Sequence, residues 1–489
     1  MLPGEKFALL WAQVEPHAHQ VVLDPWAGRN AIEFKTLTDI IRNCPHSSIP
    51  VEIEAYLKGE SVSFSTDSLD DSQRAFIVMC ALDDAAMDIH PSTKTHIIGR
   101  TITLSRLQEE MKSVRTANFR YAYLPEVGSV IAKGQLTGRR VLNEAENANG
   151  ANLESQFEYL TVVADPKPYT ASFLVIAPYK FGMDEALTHK LGIAPIAEDA
   201  NDLTFTATSR LGRGYLDARP TDPAALSTRL TEAVTSLLDQ GAGIVALPEL
   251  VCSSNAIKAL QAKLRCREKN NGDAILVCGS GLSSDPCPSS GRHFNEATVM
   301  TGGGNVLFSQ RKIHPFNMAA NRMKECGVAH DPLHEGKPHM EDIAASATLT
   351  ICDLPDVGRI MVMICEDFEQ GKPTGQLALA ARPDWIFAPV LDVSLELGRW
   401  MHQRCMEIGR HSLSRIVITS STTLSVRRKG KTALAEMNAD EVGFGILYDG
   451  YQGRRVKQIL SSSTCVSPQT VKVEWDSATW PHDVVGARE

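Results

Sequence analysis

The sequence predicts an α/β protein: a C-terminal domain in which sheets are covered by helices, preceded by a separate mixed α+β region. Three observations carry that expectation. From about residue 202, short apolar strand patterns alternate with longer amphipathic helix patterns, with hairpins between them. Before residue 200, helix-like and strand-like patterns mix without that regularity. Finally, 489 residues are too many for one ordinary core, so two or three compact units are expected. The boundaries are set at 1–200, 201–478 and a short tail, 479–489.

In the first region, residues 31–44 carry Ile32, Leu37, Ile40 and Ile41 at helical spacing, and 72–87 and 103–114 look similar. The Ser- and Asp-rich stretch 59–72 reads as a loop, and NEAENANGAN (143–152) as a surface loop. Residues 159–164 and 172–177 are β-branched or aromatic runs split by Asp165-Pro166-Lys167-Pro168, which predicts two strands around a turn. In the second region the expected order is strand 203–209, helix 222–240 stopped by Gly241, strand 243–247, helix 256–264 and strand 274–278. There follow a hairpin, 295–301 and 305–310, around Gly302-Gly303-Gly304, then strand 359–364, helix 375–381 and strand 385–389. Helix 398–412 and strand 416–420 complete the series.

Charge and cysteine usage exclude several functions. The net charge of −9 is uneven: residues 1–200 hold 18 Lys+Arg against 26 Asp+Glu, leaving 31 and 32 for the remainder. Without clustered cations, a nucleic-acid surface is not expected, and Arg427-Arg428-Lys429 reads as a solvated loop. Eleven cysteines, an odd number with no CxxC pair, suggest neither a disulfide framework nor a zinc ribbon. No signal-peptide core or membrane-length apolar run is present, so a cytoplasmic protein with reduced thiols is expected.

Three predicted strands end in reactive side chains. LPEL delivers Glu249, RKIH delivers Lys312 and MICEDF delivers Cys365. Open α/β sheets gather their sites at the carboxyl ends of strands, so the three are expected to meet. A cysteine, a carboxylate and a lysine together suit hydrolysis of an unreactive C–N bond. A thiol near pKa ~8.5 is mostly protonated at neutral pH and needs a base. Glu249 would take that proton and return it to the leaving amine, while Lys312 would offset the anion that develops on the substrate.

On these residues the sequence resembles the nitrilase, or carbon–nitrogen hydrolase, superfamily, whose members carry a Glu-Lys-Cys triad in this order. The resemblance runs from about residue 205 to 476. It includes GAGIVALPEL, FNEATVMTGGGNVLFSQRKIH, DWIFAPV, RWMHQRCMEIGRHS followed by RIVITSS, and a late hairpin around GILYDGYQGR. It implies an αββα sandwich, a cysteine thioester intermediate, no cofactor, and a homodimer or larger homo-oligomer. It also implies a second glutamate that positions the lysine, for which Glu325 is the candidate and Glu335 the other choice. Glu366 and Asp367 follow the nucleophile where true nitrilases tend to have Trp-Glu. This favours a small-molecule amide over a nitrile and marks both carboxylates as substrate-binding candidates.

Other readings stand beside these. Cys326, His330, His334 and His339 invite a zinc site, but Pro332 interrupts the helix that would align them, so no metal is expected. The triple glycine lacks the Gly-Lys-Ser/Thr ending of a phosphate loop. The alternative to an amidase is a regulatory or effector protein whose nitrilase-like domain binds a ligand or drives oligomerisation without turnover. The first 200 residues carry no nucleotide-binding loop of the SGGxDS type, and their role is not assigned.

Overall fold

The structure, a computed structural model, describes residues 1–23, 28–44, 48–60, 69–86, 121–133, 153–176, 190–267, 274–329, 336–354, 357–438, 442–450, 455–460 and 469–472. The chain forms two compact units. The first comprises Met1–Ala177 with Asp353–Arg359 and Gln376–Asp384; the second comprises Pro178–Cys352, Ile360–Gly375 and Trp385–Glu489. Lys190–Ile193, which the expected boundary at 200 places in the first region, is a strand paired with Ile244–Ala246 of the second unit. The two returning segments leave no mark in composition or periodicity.

In the first unit, helices α1 (Pro3–Val14), α2 (Ala18–Val22), α3 (Phe34–Asn43), α4 (Val51–Leu57) and α5 (Asp71–Ala85) precede strands β1 (Ala122–Leu124), β2 (Gly128–Ala132), β3 (Leu160–Val163) and β4 (Thr170–Val175). Antiparallel pairing orders the first three as β1-β2-β3. A capping box between Asp70 and Gln73 starts α5, whose residues Ala75 to Leu82 are all buried. Phe7, Trp11, Phe76 and Phe157 meet in its core, Phe7 edge-on to Phe157 at 5.0 Å. The buried Asp83 carboxylate closes α5 onto β3 by accepting the N–H groups of Glu158, Tyr159 and Leu160 at 2.7 to 2.9 Å. The expected helix 103–114 and loop 143–152 lie outside the described residues.

The second unit begins with β5 (Lys190–Ile193), β6 (Leu203–Arg210), β7 (Arg213–Pro220), α6 (Pro223–Asp239), β8 (Ile244–Ala246), α7 (Ser254–Arg265), β9 (Ile275–Pro286), β10 (His293–Thr301) and β11 (Val306–Arg311). It continues through β12 (Asn317–Met318), α8 (Ala320–Glu325), β13 (His339–Glu341), β14 (Thr348–Leu354), β15 (Gly358–Val362), α9 (Glu366–Glu369) and β16 (Trp385–Val390). Last come α10 (Trp400–Ser412), β17 (Arg415–Ser420), α11 (Thr423–Arg428), β18 (Gly443–Asp449), β19 (Arg455–Leu460) and β20 (Gln469–Lys472). One sheet runs β11-β10-β9-β8-β5-β20, another has the order β19-β18-β17-β16-β15-β14, and a smaller one runs β12-β13-β7-β6.

Sequence chemistry explains the layers. Strands β8, β15 and β16 have parallel neighbours and are buried along their whole length, which is why they read as continuous apolar runs rather than alternating ones. Helix α6 starts at Pro223 after Asp222, whose carboxylate accepts the Ala224 and Ala225 N–H groups at 3.0 Å. Its stripe of Leu226, Leu230, Val234 and Leu237 shares one core with Leu260 and Leu264 of α7 and Leu276 and Cys278 of β9. On the other large sheet, α10 lies so close that a Cβ at Gly409 would be 2.1 Å from the Tyr448 ring of β18. Helices therefore cover both large sheets, as the alternation predicts. The triple glycine does turn β10 into β11, with the Gly304 N–H bonded to the Thr301 carbonyl at 2.9 Å.

The β6–β7 hairpin and strands β5, β14 and β20 were not expected. Of the run Arg427-Arg428-Lys429 the last two are exposed, whereas Arg427 is half-buried: it lies in α11, donates to the carbonyls of Ala200 and Leu203 at 2.6 and 2.7 Å, and stacks over Phe205. Among the described residues, no helix is long and apolar enough to cross a membrane.

Candidate active site

Glu249 sits three residues beyond β8, on a turn that only a bare backbone can pass beneath. Gly279 of β9, at φ +57°, crosses it so closely that a Cβ would be 2.0 Å from the Pro248 carbonyl oxygen. Lys312 directly follows β11; its N–H donates to the Asn295 carbonyl at 2.8 Å and its carbonyl accepts the Ser346 N–H at 2.9 Å. Cys365 lies between β15 and α9 with φ 49° and ψ −104°, a strained geometry for a residue with a Cβ. Its N–H is held by the Pro389 carbonyl, just before the end of β16, at 3.0 Å. All three side chains come from strand ends, and all three are buried: Glu249 is 2%, Lys312 1% and Cys365 7% exposed.

The structure brings the three together and adds two residues the sequence reading passed over. Lys312 Nζ donates to Glu249 Oε1 at 2.7 Å and to Glu341 Oε2 at 2.6 Å. Asn295 Nδ2 donates to Glu249 Oε1 at 2.9 Å and Glu341 Oε1 at 3.1 Å. Burial pushes the Glu249 carboxyl above the ordinary range and Glu341 adds to that, while Lys312 and hydrogen bonding to Cys365 oppose it. Burial acts to lower the Lys312 ammonium, but Glu249, Glu341 and Cys365 outweigh it and hold the pKa well above the usual lysine value. Burial, then the Glu249 charge, raises the Cys365 thiol well above its normal value; Lys312 and the Leu391 N–H work the other way. Cys365 is therefore a thiol at rest, beside a carboxylate that can take its proton and an ammonium that stays charged.

The second glutamate at the lysine is Glu341, not Glu325. Glu325 ends α8, half-exposed, 3.9 Å from Arg428, and Glu335 lies outside the described residues. Glu341 arrives through long-range pairing. Strand β13 runs parallel to β7, matching Glu341 to Leu216, and then the Ala344 N–H bonds back to the carbonyl of His293, the first residue of β10. Only the run HMED, short and flanked by Lys337-Pro338, hinted at an ordered element there.

The Asp367 carboxylate is taken up by the protein's own backbone. The Asp367 carboxylate is 1% exposed and accepts the backbone N–H groups of Ile313 and His314 and the His314 ring, at 2.8 to 3.1 Å. It clamps the segment that carries the lysine to the turn that carries the cysteine. Glu366 instead accepts from Gln370, one turn later. Asp367→Ala is accordingly expected to lower kcat/KM by about 10- to 100-fold for whatever substrate the site turns over, the value of lost hydrogen bonds to a charged group. Steady-state kinetics check this; an unchanged kcat/KM would deny Asp367 a positioning role.

Among the described residues, no group of three His, Cys, Asp or Glu side chains is placed to hold a metal ion. Cys326 packs in an apolar cluster with Met318 and Met323, and His330 and His334 lie outside the described residues.

No family model matches the chain, and no curated protein matches it either. Solved structures of nitrilase-superfamily members are similar to it over somewhat more than half its length. Nit3 of Saccharomyces cerevisiae, a member of branch 10 of that superfamily, is 13% identical with TM-score 0.36, over 57% of this chain and 91% of its own. An amidase from Nesterenkonia sp. is 14% identical with TM-score 0.34, over 57% and 92% respectively. The glutamine-dependent NAD+ synthetase of Acinetobacter baumannii is 13% identical with TM-score 0.38, over 60% of this chain and 49% of its own.

Proposed function

We propose that the second unit is a carbon–nitrogen hydrolase of the nitrilase type, an αββα sandwich acting on a small-molecule amide through a cysteine thioester. The observation that supports this most is the convergence of Glu249, Lys312 and Cys365 in one buried cluster. In the first half-reaction Glu249 accepts the Cys365 proton as Sγ attacks the amide carbon, and Lys312 stabilises the oxyanion of the tetrahedral intermediate. Glu249 then protonates the amine, the C–N bond breaks and a C–S thioester remains. In the second half-reaction water attacks the thioester, Glu249 takes its proton, and the departing thiolate recovers that proton as the acid leaves. The sum is amide plus water giving acid plus amine. A cytoplasmic homodimer or larger homo-oligomer goes with this reading.

Convergence of a base, a cation and a nucleophile favours turnover over a purely ligand-binding domain, which would need none of the three in contact. Incubation with a panel of aliphatic amides, acid quenching and peptide mass spectrometry should find an acyl adduct on Cys365. Its mass would identify the acyl half of the substrate, and its absence together with no amine release would sink the proposal.

The pH profile provides a second check. Protonated Glu249 cannot act as base, so the rate falls as pH drops through its pKa; since burial raises that pKa above its ordinary 4.5, the acid limb should lie above the normal carboxylate range. A kcat/KM profile from about pH 4 to 9 measures this. A limb at or below the ordinary value would contradict the assignment of the base.

A further inference from the structure

Asn295 touches every part of the cluster except the thiol. Its side chain is completely buried, its backbone carbonyl seats the Lys312 N–H at 2.8 Å, and its Nδ2 joins Glu249 Oε1 to Glu341 Oε1. The ammonium of Lys312 joins the same two carboxylates a second time, through Glu249 Oε1 and Glu341 Oε2. Two anions are thus held together by one charged and one neutral donor.

The neutral donor is costly in one respect. Asn295 Oδ1 is buried without a hydrogen-bond partner among the described residues. Turning the amide over would set that oxygen against two carboxylate oxygens, acceptor facing acceptor, so the carboxylates fix the orientation and the orphaned oxygen is tolerated. An apolar side chain of the same shape would remove the orphaned oxygen but would also take a donor from both buried carboxylates, so the amide is accounted for by the two anions it joins and not by packing.

We infer that Asn295 is a positioning residue of the candidate active site, setting the separation and orientation of the Glu249 and Glu341 carboxylates so that Glu249 stays ionised and offers Oε2 to the Cys365 thiol. The inference rests on the hydrolase reading. Both donors fall on Oε1 of Glu249, which leaves Oε2 for the thiol. The titratable groups facing Glu249 are Lys312, Glu341 and Cys365. Without the Asn295 donor the two carboxylates face each other across Lys312 alone, and protonation of Glu249 becomes easier.

The test uses the full chain, Asn295→Leu and Asn295→Asp variants, and iodoacetamide as a substrate-independent probe of Cys365, read by peptide mass spectrometry across pH. In Asn295→Leu the alkylation rate at neutral pH should fall about 10- to 100-fold, the worth of a hydrogen bond to a charged group, and the acid limb should move to higher pH. In Asn295→Asp the new carboxyl can donate while protonated and repels both neighbours once ionised, so the rate relative to the unaltered protein should fall as pH rises. Superimposable limbs for Asn295→Leu, or a loss in Asn295→Asp that is the same at every pH, would overturn the inference. If the leucine variant does not fold, the aspartate variant decides; failure of both to fold would assign Asn295 to stability and overturn it as well. Failure of the hydrolase reading looks different: the unaltered protein would then release no amine from the amide panel and show no preferential labelling at Cys365.

Discussion

Cys365→Ala should lower amide turnover by roughly 10⁶-fold, the scale on which removal of a nucleophile acts when the remaining residues cannot replace it. Alanine retains the Cβ at the strained φ of 49° and removes only the sulfur from a site that is 7% exposed, so the backbone turn keeps its geometry. The stability cost should be about 1 kcal/mol, the value of a small cavity. Amine release and thermal denatured fraction, measured on the same preparation, separate the two effects. Full turnover in the alanine variant would remove Cys365 from the reaction, and an acyl adduct on another cysteine would name its replacement.

Lys312→Met is the second large effect, and it acts on stability as well as on rate. Methionine keeps most of the stem while deleting the cation that lies 2.7 Å from Glu249 and 2.6 Å from Glu341. Breaking a buried ion pair from one side costs about 3 to 5 kcal/mol, because an uncompensated buried charge is left behind. Here two carboxylates would remain, and one of them should take up a proton. Loss of the oxyanion partner should lower kcat by a further ~10²- to 10³-fold. The double variant Lys312→Met with Glu341→Gln separates these consequences: removing one of the paired anions should recover much of the denaturation midpoint while turnover stays low. Recovery of turnover along with stability would show that the lysine serves the fold alone.

Much of the architecture was legible because local chemistry decided it. The Asp222-Pro223 start of α6, the turn at Gly302 to Gly304 and the apolar run of β16 each announce their structure within a few residues. Residues Glu249, Lys312 and Cys365 were legible for a related reason: each stands where a recognisable strand stops. Glu341 and Asn295 were not. Strand β13 has three residues, and its place is set by pairing with β7, more than a hundred residues earlier, so nothing beside Glu341 in the sequence indicates that it faces a lysine. Asn295 was visible only as one position of a hairpin strand, since its partners come from three other segments. Asp367 stands out in the sequence only by its place next to the cysteine segment, and in the structure it holds the backbone of Ile313 and His314.

By itself the sequence determined where strands and helices alternate, that helices cover the sheets, and which three strand ends carry a carboxylate, an amine and a thiol. Those properties follow from periodicity and capping, which act over a few residues. Tertiary structure alone decided that the first unit reclaims Asp353–Arg359 and Gln376–Asp384, that the glutamate at Lys312 is Glu341, and that an asparagine joins the two carboxylates. The physical reason is common to all three. Sheet pairing and buried charge are satisfied by whichever residues the chain brings within hydrogen-bond distance, and that choice is made across the whole chain.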